Sequence, residues 1–425
     1  NTGSFDGSQV QEAEFEEGMK NIPAYAFQGA TNLKKVSVPD TVTSIESYAF
    51  QSTGLAIFQL KDNITNLGEY VFANCGNLEE VNWNNTLSEI PKSTFSECIS
   101  LKKFNMTDVV KAIGENAFQG CESLENFDCT KNITTIKAGA FSNCSALKTV
   151  DIGDSVTSIG QSAFSECRIL NEIIIGKSVT VINDNAFKNC DALKEISLPD
   201  SVETIGNSAF YNCDSLAAIT IPDSVTSIGS SIFYDCDALT DVTLGTGITS
   251  IPSSAFEHCD VLQSIVLPYR TATVGANAFK NCVALTEITI PRATTSIDAT
   301  AFSYPSKMTV YGVAGTYAET FANEQGMKFV NKEVNAENVT LSQSELKLNK
   351  GDKGKLVMTV TPADFTDEVT WKSSNTDVVT VDDSGQISAK AVGEATVKVQ
   401  VGNVSASCSV TVVQPVTSIT LNKTS

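Results

Sequence analysis

The stretch SVTSIGQSAFSECRIL (155–170) is followed, 46 residues later, by SVETIGNSAFYNCDSL (201–216). Both place Val, Ile, Ala-Phe, Cys and Leu at the same points. The same frame repeats along the chain with a Phe every 23 residues, apart from one step of 22, at Phe27, Phe50, Phe72, Phe95, Phe118, Phe141, Phe164, Phe187, Phe210, Phe233, Phe256, Phe279 and Phe302. A fixed period of about 20–29 residues is typical of a solenoid. The sequence therefore predicts a repeat array of thirteen units.

One unit, residues 187–210, shows what each position is expected to do. Its apolar residues are Phe187, Cys190, Leu193, Ile196, Leu198, Val202 and Ile205. Ile196 and Leu198 flank a polar residue, which is the alternation of a short strand with one buried side. Stacked at about 4.8 Å per strand, such units form a parallel sheet over continuous apolar columns. The AFxxC segment is expected to form a turn of helix or irregular backbone.

Both ends of the array are expected to be capped, because a terminal repeat otherwise exposes its core. Residues 10–15 predict an extra strand at the start. At the far end, 307–310 predicts a last strand, 315–326 a cap helix with Thr316 at its N-cap and Gly326 at its end, and 328–330 a closing strand. The predicted solenoid module is 1–333.

The composition changes at Val334 to runs rich in Val, Thr and Ser. Alternating segments at 355–361, 369–372, 378–381 and 395–401 predict about seven short strands and an all-β sandwich over 334–414. Residues 416–425 repeat the pattern of 339–345 at an offset of 80. A second sandwich is therefore predicted to begin at 415–425.

The net charge of the chain disfavours some classes of binding partner. The 425 residues carry a net charge of −20 and a single histidine. Such acidity disfavours nucleic acid and anionic membrane surfaces, which would repel the chain. The sequence has no run of about 20 apolar residues, so no membrane insertion is expected, and it begins at Asn1 without a signal segment.

Cysteines form the most conspicuous column of reactive side chains. Ten of the twelve follow a repeat Phe by three residues, namely Cys75, Cys98, Cys121, Cys144, Cys167, Cys190, Cys213, Cys236, Cys259 and Cys282. Side chains at equivalent points of stacked units lie parallel, so we expect a ladder of buried, inert thiols. Disulfides between units, or a metal or redox role, are the alternatives. Cys129 and Cys408 are also expected in the core.

Catalysis has little support in the sequence. His258 occupies a polar repeat position held elsewhere by Asn or Asp, and without a second histidine neither a nucleophilic triad nor a multi-histidine zinc site can form. Paired carboxylates remain open, but no departure from the repeat marks a pair. Gly160 and Gly206 are interpreted as turn residues and not as a phosphate loop.

The repeat unit quoted above resembles the BspA-like branch of the leucine-rich-repeat family over about residues 10–330, and TVYGVAGTYAETFANEQGMKFV (309–330) resembles the usual end of such arrays. Residues 369–399, with Trp371 as the core aromatic, resemble a bacterial immunoglobulin-like group 2 domain. The resemblance implies a right-handed solenoid with short parallel strands and an irregular or helical convex side, followed by an immunoglobulin-like sandwich. It also implies export, with the signal peptide removed, display at the cell surface or secretion, and adhesion or protein binding.

We expect any binding site on the outward strand positions of the concave face, where residues vary while the core does not. Plain solvent exposure predicts the same variation. The candidate residues are Lys35, Glu80, Asn82, Lys103, Asn105, Asn126, Asp128, Thr149, Asp151, Glu172, Ile174 and Glu195. Ile174 and Val266 are expected as exposed apolar anchors. Asp128 and Asp151 are expected to be a solvated pair, with a Ca²⁺ shared with Asn105 or Asn126 as the alternative.

Three functions follow from this pattern. The first is a non-enzymatic binding or adhesion protein that recognises a host or microbial surface protein or glycan. The second is a passive spacer. The third is an accessory module of a larger exported enzyme. No cofactor other than the possible Ca²⁺ is expected.

Overall fold

A computed structural model describes residues 9–129, 132–363 and 365–415. The chain divides into two compact units. Unit 1 comprises Asn1–Ile265, Thr273–Thr286 and Ile297–Tyr304, and unit 2 comprises Val266–Ala272, Glu287–Ser296 and Pro305–Ser425. The predicted second sandwich at 416–425 lies outside the described residues.

All coils of the repeat except 187–210 contribute a three-residue strand whose middle side chain points into the core. These strands are Glu12–Glu14, Lys35–Ser37, Ile57–Gln59, Glu80–Asn82, Lys103–Asn105, Asn126–Asp128, Thr149–Asp151, Glu172–Ile174, Ala218–Thr220, Asp241–Thr243 and Ser264–Val266. Neighbours pair in parallel and in register, as Val81 does with Phe104. Glu12–Glu14 lies within the predicted N-terminal strand and pairs with Lys35–Ser37. The predicted parallel-strand solenoid is confirmed.

A two-residue strand follows later in each coil and buries its second residue. These strands are Asn21–Ile22, Ser44–Ile45, Asn66–Leu67, Glu89–Ile90, Ala112–Ile113, Thr135–Ile136, Ser158–Ile159, Val181–Ile182, Thr204–Ile205, Ser227–Ile228, Ser250–Ile251, Thr273–Val274 and Ser296–Ile297. Seven of them, from Glu89–Ile90 to Ser227–Ile228, form one continuous sheet.

The three-residue strands form several small sheets instead of one. The coil 187–210 has no strand at 195–197, contrary to the prediction. Ile196 and Leu198 are nevertheless only 7% and 8% exposed. Burial of the alternating apolar residues therefore sets the direction of the side chains even where ladder hydrogen bonds are not formed.

The AFxxC segment is a turn and not a helix. Each repeat Phe stacks on those of the adjacent coils, with ring centroids 5.3–5.8 Å apart, and its N–H donates to the next coil, as Phe164 does to the Ala186 carbonyl at 2.9 Å. From the coil of Phe27 to that of Phe279, the residues two before and two after the Phe have left-handed backbone. In one coil these are Ser208 and Asn212, at φ 52° and 56°.

The glycines of the IGxxAF segment recur for a reason other than the one predicted. Gly160 and Gly206 do not have positive φ. Instead they lie against the backbone of the preceding coil, where a Cβ at Gly160 would be 2.7 Å from the Ala138 nitrogen and one at Gly206 would be 2.5 Å from the Asp184 nitrogen. Close approach of two coils, and not turn conformation, excludes a side chain there.

In unit 2, strands Glu287–Thr289, Thr309–Gly312 and Lys328–Asn331 are parallel neighbours. A 3-10 turn at Pro305–Lys307 and a helix at Tyr317–Glu324 complete this part. Thr316 occupies the N-cap position, but its hydroxyl donates to the Val313 carbonyl, and Glu319 accepts from the Gly315 N–H instead. The predicted N-cap position of Thr316 is therefore confirmed, although its side chain does not bond to the helix N–H groups. Gly326 follows the helix with φ 65°.

The rest of unit 2 is the predicted all-β sandwich, with nine strands among its described residues instead of about seven. They are Asn338–Leu341, Glu345–Asn349, Lys353–Lys355, Met358–Thr361, Val369–Ser373, Val379–Val381, Gln386–Ala389, Gly393–Val401 and Val404–Val413. Trp371 packs against both apolar clusters of this part, as expected of its core aromatic.

Candidate binding face

The candidate site is the outward surface of the three-residue strands, which we call the strand face. Alternation along each strand places every second side chain on it. In Glu80–Asn82, for example, Val81 is fully buried while Glu80 and Asn82 are half-buried. The site residues are thus held by regular backbone and not by loops.

A polar network joins four of the predicted residues across two adjacent coils. Glu80 accepts hydrogen bonds from Lys103 Nζ and Asn105 Nδ2, both at 2.9 Å. Asn105 Nδ2 also lies 2.6 Å from the Asn82 amide oxygen. The hydrogen bond from Lys103 is the main cause that lowers the pKa of Glu80. In this part of the strand face, hydrogen bonds between the side chains hold the charged and amide groups in fixed positions.

The next two strands bring together four more predicted residues. Thr149 donates to the Asn126 amide oxygen at 2.8 Å, and Asp128 pairs in register with Asp151. Both carboxylates are exposed, and Asp151 accepts the N–H of Gly153 at 2.9 Å. In the described part of the chain, no group of three or more His, Cys, Asp or Glu could hold a metal ion. The Ca²⁺ alternative stays a prediction.

Strand Glu172–Ile174 continues this surface, in register with Thr149–Asp151. Ile174 is 53% exposed, as predicted for an anchor, and Val266 is exposed as well. Ile57, at the other outward position of its own strand, is 61% exposed and was missed by the sequence reasoning. Its place next to the inward Phe58 would have identified it.

Two predicted residues lie apart from this group. Lys35 pairs at 3.7 Å with Glu12 of the first strand. Glu195 lies in the coil that has no three-residue strand. The structure therefore groups the candidates from Glu80 to Ile174 and leaves these two outside the group.

The cysteine column faces the core, which confirms the predicted burial of the ladder. All twelve cysteines are free and buried. Each repeat thiol donates to the carbonyl of the Phe one coil earlier, as Cys167 does to Phe141 at 3.2 Å. Burial raises the pKa of Cys167 and of Cys236 to about 12. Thiolate chemistry is therefore suppressed at these two cysteines.

His258 lies in the turn, as its repeat position predicts. It is half-buried with φ 64°, and its Nε2 lies 3.0 Å from Asn281 Nδ2. Left-handed backbone explains why Asn and Asp occupy the same position in other coils.

A column of carboxylates was also missed. Asp191, Asp214, Asp237 and Asp260 each follow a repeat Cys. Burial, followed by repulsion from Asp191 and Asp237, raises the pKa of Asp214. The spacing of 23 residues would have revealed this column.

Comparisons with known proteins agree with this architecture. The family described as BspA type leucine rich repeat region matches residues 1–123, 67–194 and 180–309, and the bacterial Ig-like domain (group 2) matches 335–412. An uncharacterised protein of Clostridium acetobutylicum is 36% identical over 113 residues, which are 26% of this chain. The chain aligns with only 11% of that relative's length.

Two solved structures resemble the chain. A leucine-rich repeat protein from Bacteroides ovatus is 25% identical, with a TM-score of 0.52 over 77% of this chain and 93% of its own. The pneumococcal vaccine antigen PcpA is 19% identical, with a TM-score of 0.50 over 78% of this chain and 82% of its own, and shows the fold alone. None of the helices among the described residues has the length and apolarity to cross a bilayer.

Proposed function

We propose, from the premise that the chain belongs to the BspA-type leucine-rich-repeat family, that it is a non-enzymatic binding protein of the cell surface or extracellular space. Its partner is a protein or glycan of a host or microbial surface. The family and the immunoglobulin-like domain support display and binding. The particular partner and the site are the proposal.

The observation that carries this proposal is the ordered polar surface from Glu80 to Ile174. Side chains held in fixed positions lose little conformational freedom when a partner binds. The face also combines charge, amides and the exposed Ile174, so it can supply both hydrogen bonds and apolar contact. The buried thiols offer no comparable chemistry.

The test replaces Glu80, Lys103, Asp128 and Glu172 with Ala together and measures capture of partners from host-cell or microbial surface extracts. We expect capture to be lost, because four charges of the strand face are removed together with the hydrogen bonds of Glu80 and Lys103. The matched control replaces Glu89, Lys111, Asp200 and Glu203, which carry the same charges at exposed positions off the strand face. Capture that survives the first variant would move the site elsewhere.

A passive spacer is the second candidate, and one observation favours it. Glu80, Lys103, Asn105 and Asn82 already satisfy one another, which leaves fewer groups to seek a partner. Glycan arrays and pull-down experiments that stay at background with the unaltered protein would support this function over binding.

A further inference from the structure

The first coils of the strand face carry a groove that none of the polar network residues line. Two adjoining depressions of about 340 and 440 Å³ share Ser37, Val38 and Lys61. The first lies between strands Lys35–Ser37 and Ile57–Gln59, and the second extends to Glu14–Glu17. Together they form one open groove across three coils.

The floor of this groove is apolar and incompletely covered. Val38 is half-buried, whereas Leu60 and Trp83 at the equivalent positions of the next two coils are 3% and 4% exposed. Val36 is also half-buried, and Ile57 is the most exposed large apolar side chain of the described strands. An apolar ligand side chain would gain contact here that the chain itself does not provide.

The strands on the two sides of the groove belong to separate sheets. Leu60 donates its N–H to the Asn82 carbonyl at 3.0 Å, as Trp83 does to Asn105. Among the described residues, Val38 makes no such bond to Gln59. Backbone groups of Val38 and Gln59 are thus available to the amides of a ligand. The one shortened coil, in which Phe72 comes 22 residues after Phe50, contains strand Ile57–Gln59.

The rim of the groove is acidic. Glu14, Glu16 and Glu17 are exposed, and no described Lys or Arg forms an ion pair with them. The one cation that lines the groove, Lys61, lies 2.7 Å from Asp40 and is paired with it. Complementarity of charge therefore favours a cationic ligand.

We propose that this groove binds an extended, cationic segment of a partner protein. An aliphatic side chain of the segment packs on Val36, Val38 and Ile57. Its Lys or Arg residues face Glu14, Glu16 and Glu17, and its backbone amides meet the unpaired edges. The groove and the polar network lie on different coils, so this proposal does not depend on the proposed function of the network.

The experiment titrates the full chain with two synthetic peptides, acetyl-Lys-Val-Lys-Val-Lys-amide and acetyl-Glu-Val-Glu-Val-Glu-amide, by calorimetry. We expect only the cationic peptide to bind, with affinity that falls between about 50 and about 500 mM NaCl as the charges are screened. Ile57→Ser should weaken binding about tenfold or more, because the apolar contact is lost. The triple variant Glu14→Gln, Glu16→Gln, Glu17→Gln should weaken binding and flatten its salt dependence.

The matched control combines Val283→Ser with Glu122→Gln and Glu203→Gln, an exposed apolar residue and two exposed carboxylates that lie outside both the groove and the strand face, and should retain full affinity. In the unaltered protein, the cationic peptide should slow amide hydrogen exchange at 36–38 and 57–59. The proposal is overturned if the two peptides bind equally or neither binds. It is also overturned if the groove variants keep their affinity for the cationic peptide, or if that peptide does not change the rate of amide hydrogen exchange. Loss of affinity in the control overturns it too, since the site would then lie elsewhere. None of these results bears on the capture of a partner through Glu80 and Lys103, which is tested separately.

Discussion

From Phe27 to Phe279, one left-handed residue two positions before each repeat Phe and one two positions after it explain the composition of the turn. Asn, Ser, Gly and Asp adopt this conformation at low cost, because their side chains are short or absent. They fill most of these positions, as Asn185 and Asn189 do in one coil. The positions look variable and polar in sequence, but backbone conformation restricts them.

We predict that Asn212→Val lowers the free energy of unfolding by about 1–2 kcal/mol, because a β-branched residue is strained at φ 56°. Urea unfolding of the purified chain measures this change. Asn212→Gly is the control and should change the free energy by less than about 0.5 kcal/mol. A Val variant as stable as the Gly variant would contradict the conformational explanation.

The thiols differ from a plain apolar column because each has a hydrogen-bond partner. The Phe carbonyl also accepts the backbone N–H of the Cys in its own coil, as Phe118 does from Cys121 at 3.1 Å. A Leu at the position of the thiol would fill the space but remove the second donor to that carbonyl. Cys144, for instance, is fully buried and donates to the Phe118 carbonyl at 3.2 Å. Cysteine here combines a small apolar body with a weak donor.

We predict that a thiol reagent labels the native protein far more slowly than the unfolded one, because burial blocks access to the cysteines and raises the pKa of those such as Cys144 and Cys167. Without reductant, all twelve thiols should react in denaturant. The number of labels per chain, measured by mass spectrometry, tests this. A count well below twelve in denaturant would indicate disulfides.

At the scale of the coil, contact between successive backbones limits which residues the repeat accepts. Gly206 lies against Asn183 and Asp184 of the preceding coil. Gly76, in contrast, has room for a side chain, since the nearest atom to a Cβ there would be in the Ile99 side chain at 3.8 Å, an ordinary van der Waals distance. Two glycines of the same array therefore have different roles.

We predict that Gly206→Ala lowers the free energy of unfolding by about 1–3 kcal/mol, because the added methyl group pushes two coils apart. Gly76→Ala should be neutral or slightly stabilising, since alanine restricts the unfolded chain. Denaturant unfolding of both variants gives the comparison. Equal destabilisation by the two substitutions would show that close approach is not the cause.

At the scale of the whole molecule, the repeat turns one sequence position into a column of like charges. Asp191, Asp214, Asp237 and Asp260 recur at one point of four successive coils. Burial and repulsion by neighbouring aspartates raise the pKa of Asp214 and of Asp237. Their charged forms therefore oppose folding at neutral pH.

We predict that Asp214→Asn raises the melting temperature at pH 7 by about 1–3 °C. The pKa of Asp214 is higher in the folded protein than its ordinary value of 3.8, so protonation of this carboxyl stabilises the fold. This stabilisation is complete below pH 3.8 and is lost as the pH rises through the pKa of the folded state. The gain should therefore disappear in acid. Calorimetry across this range measures it.

Asp154→Asn is the control of opposite sign. The Lys177 N–H beside Asp154 lowers the pKa of that carboxyl. The charged form thus favours folding, and its removal should lower the melting temperature at pH 7. If both variants shift it in the same direction, charge in the aspartate column is not the cause.

The sequence by itself determined the repeat, the inward columns, the sandwich and the buried thiols. These features follow from the spacing of apolar residues, because a period of 23 places equivalent side chains at the same depth in every coil. The outward residues from Glu80 to Ile174 could be named in the same way. The hydrogen-bond partners of these residues could not be predicted from the sequence.

Only the tertiary structure decided what happens between coils. It showed that Cys167 bonds to a carbonyl 26 residues earlier, that Gly206 excludes a side chain by close approach, and that no strand forms at 195–197. It also revealed the groove beside Val38. The physical reason is that periodicity fixes the direction of a side chain, whereas the distance between neighbouring coils depends on how all their side chains pack together.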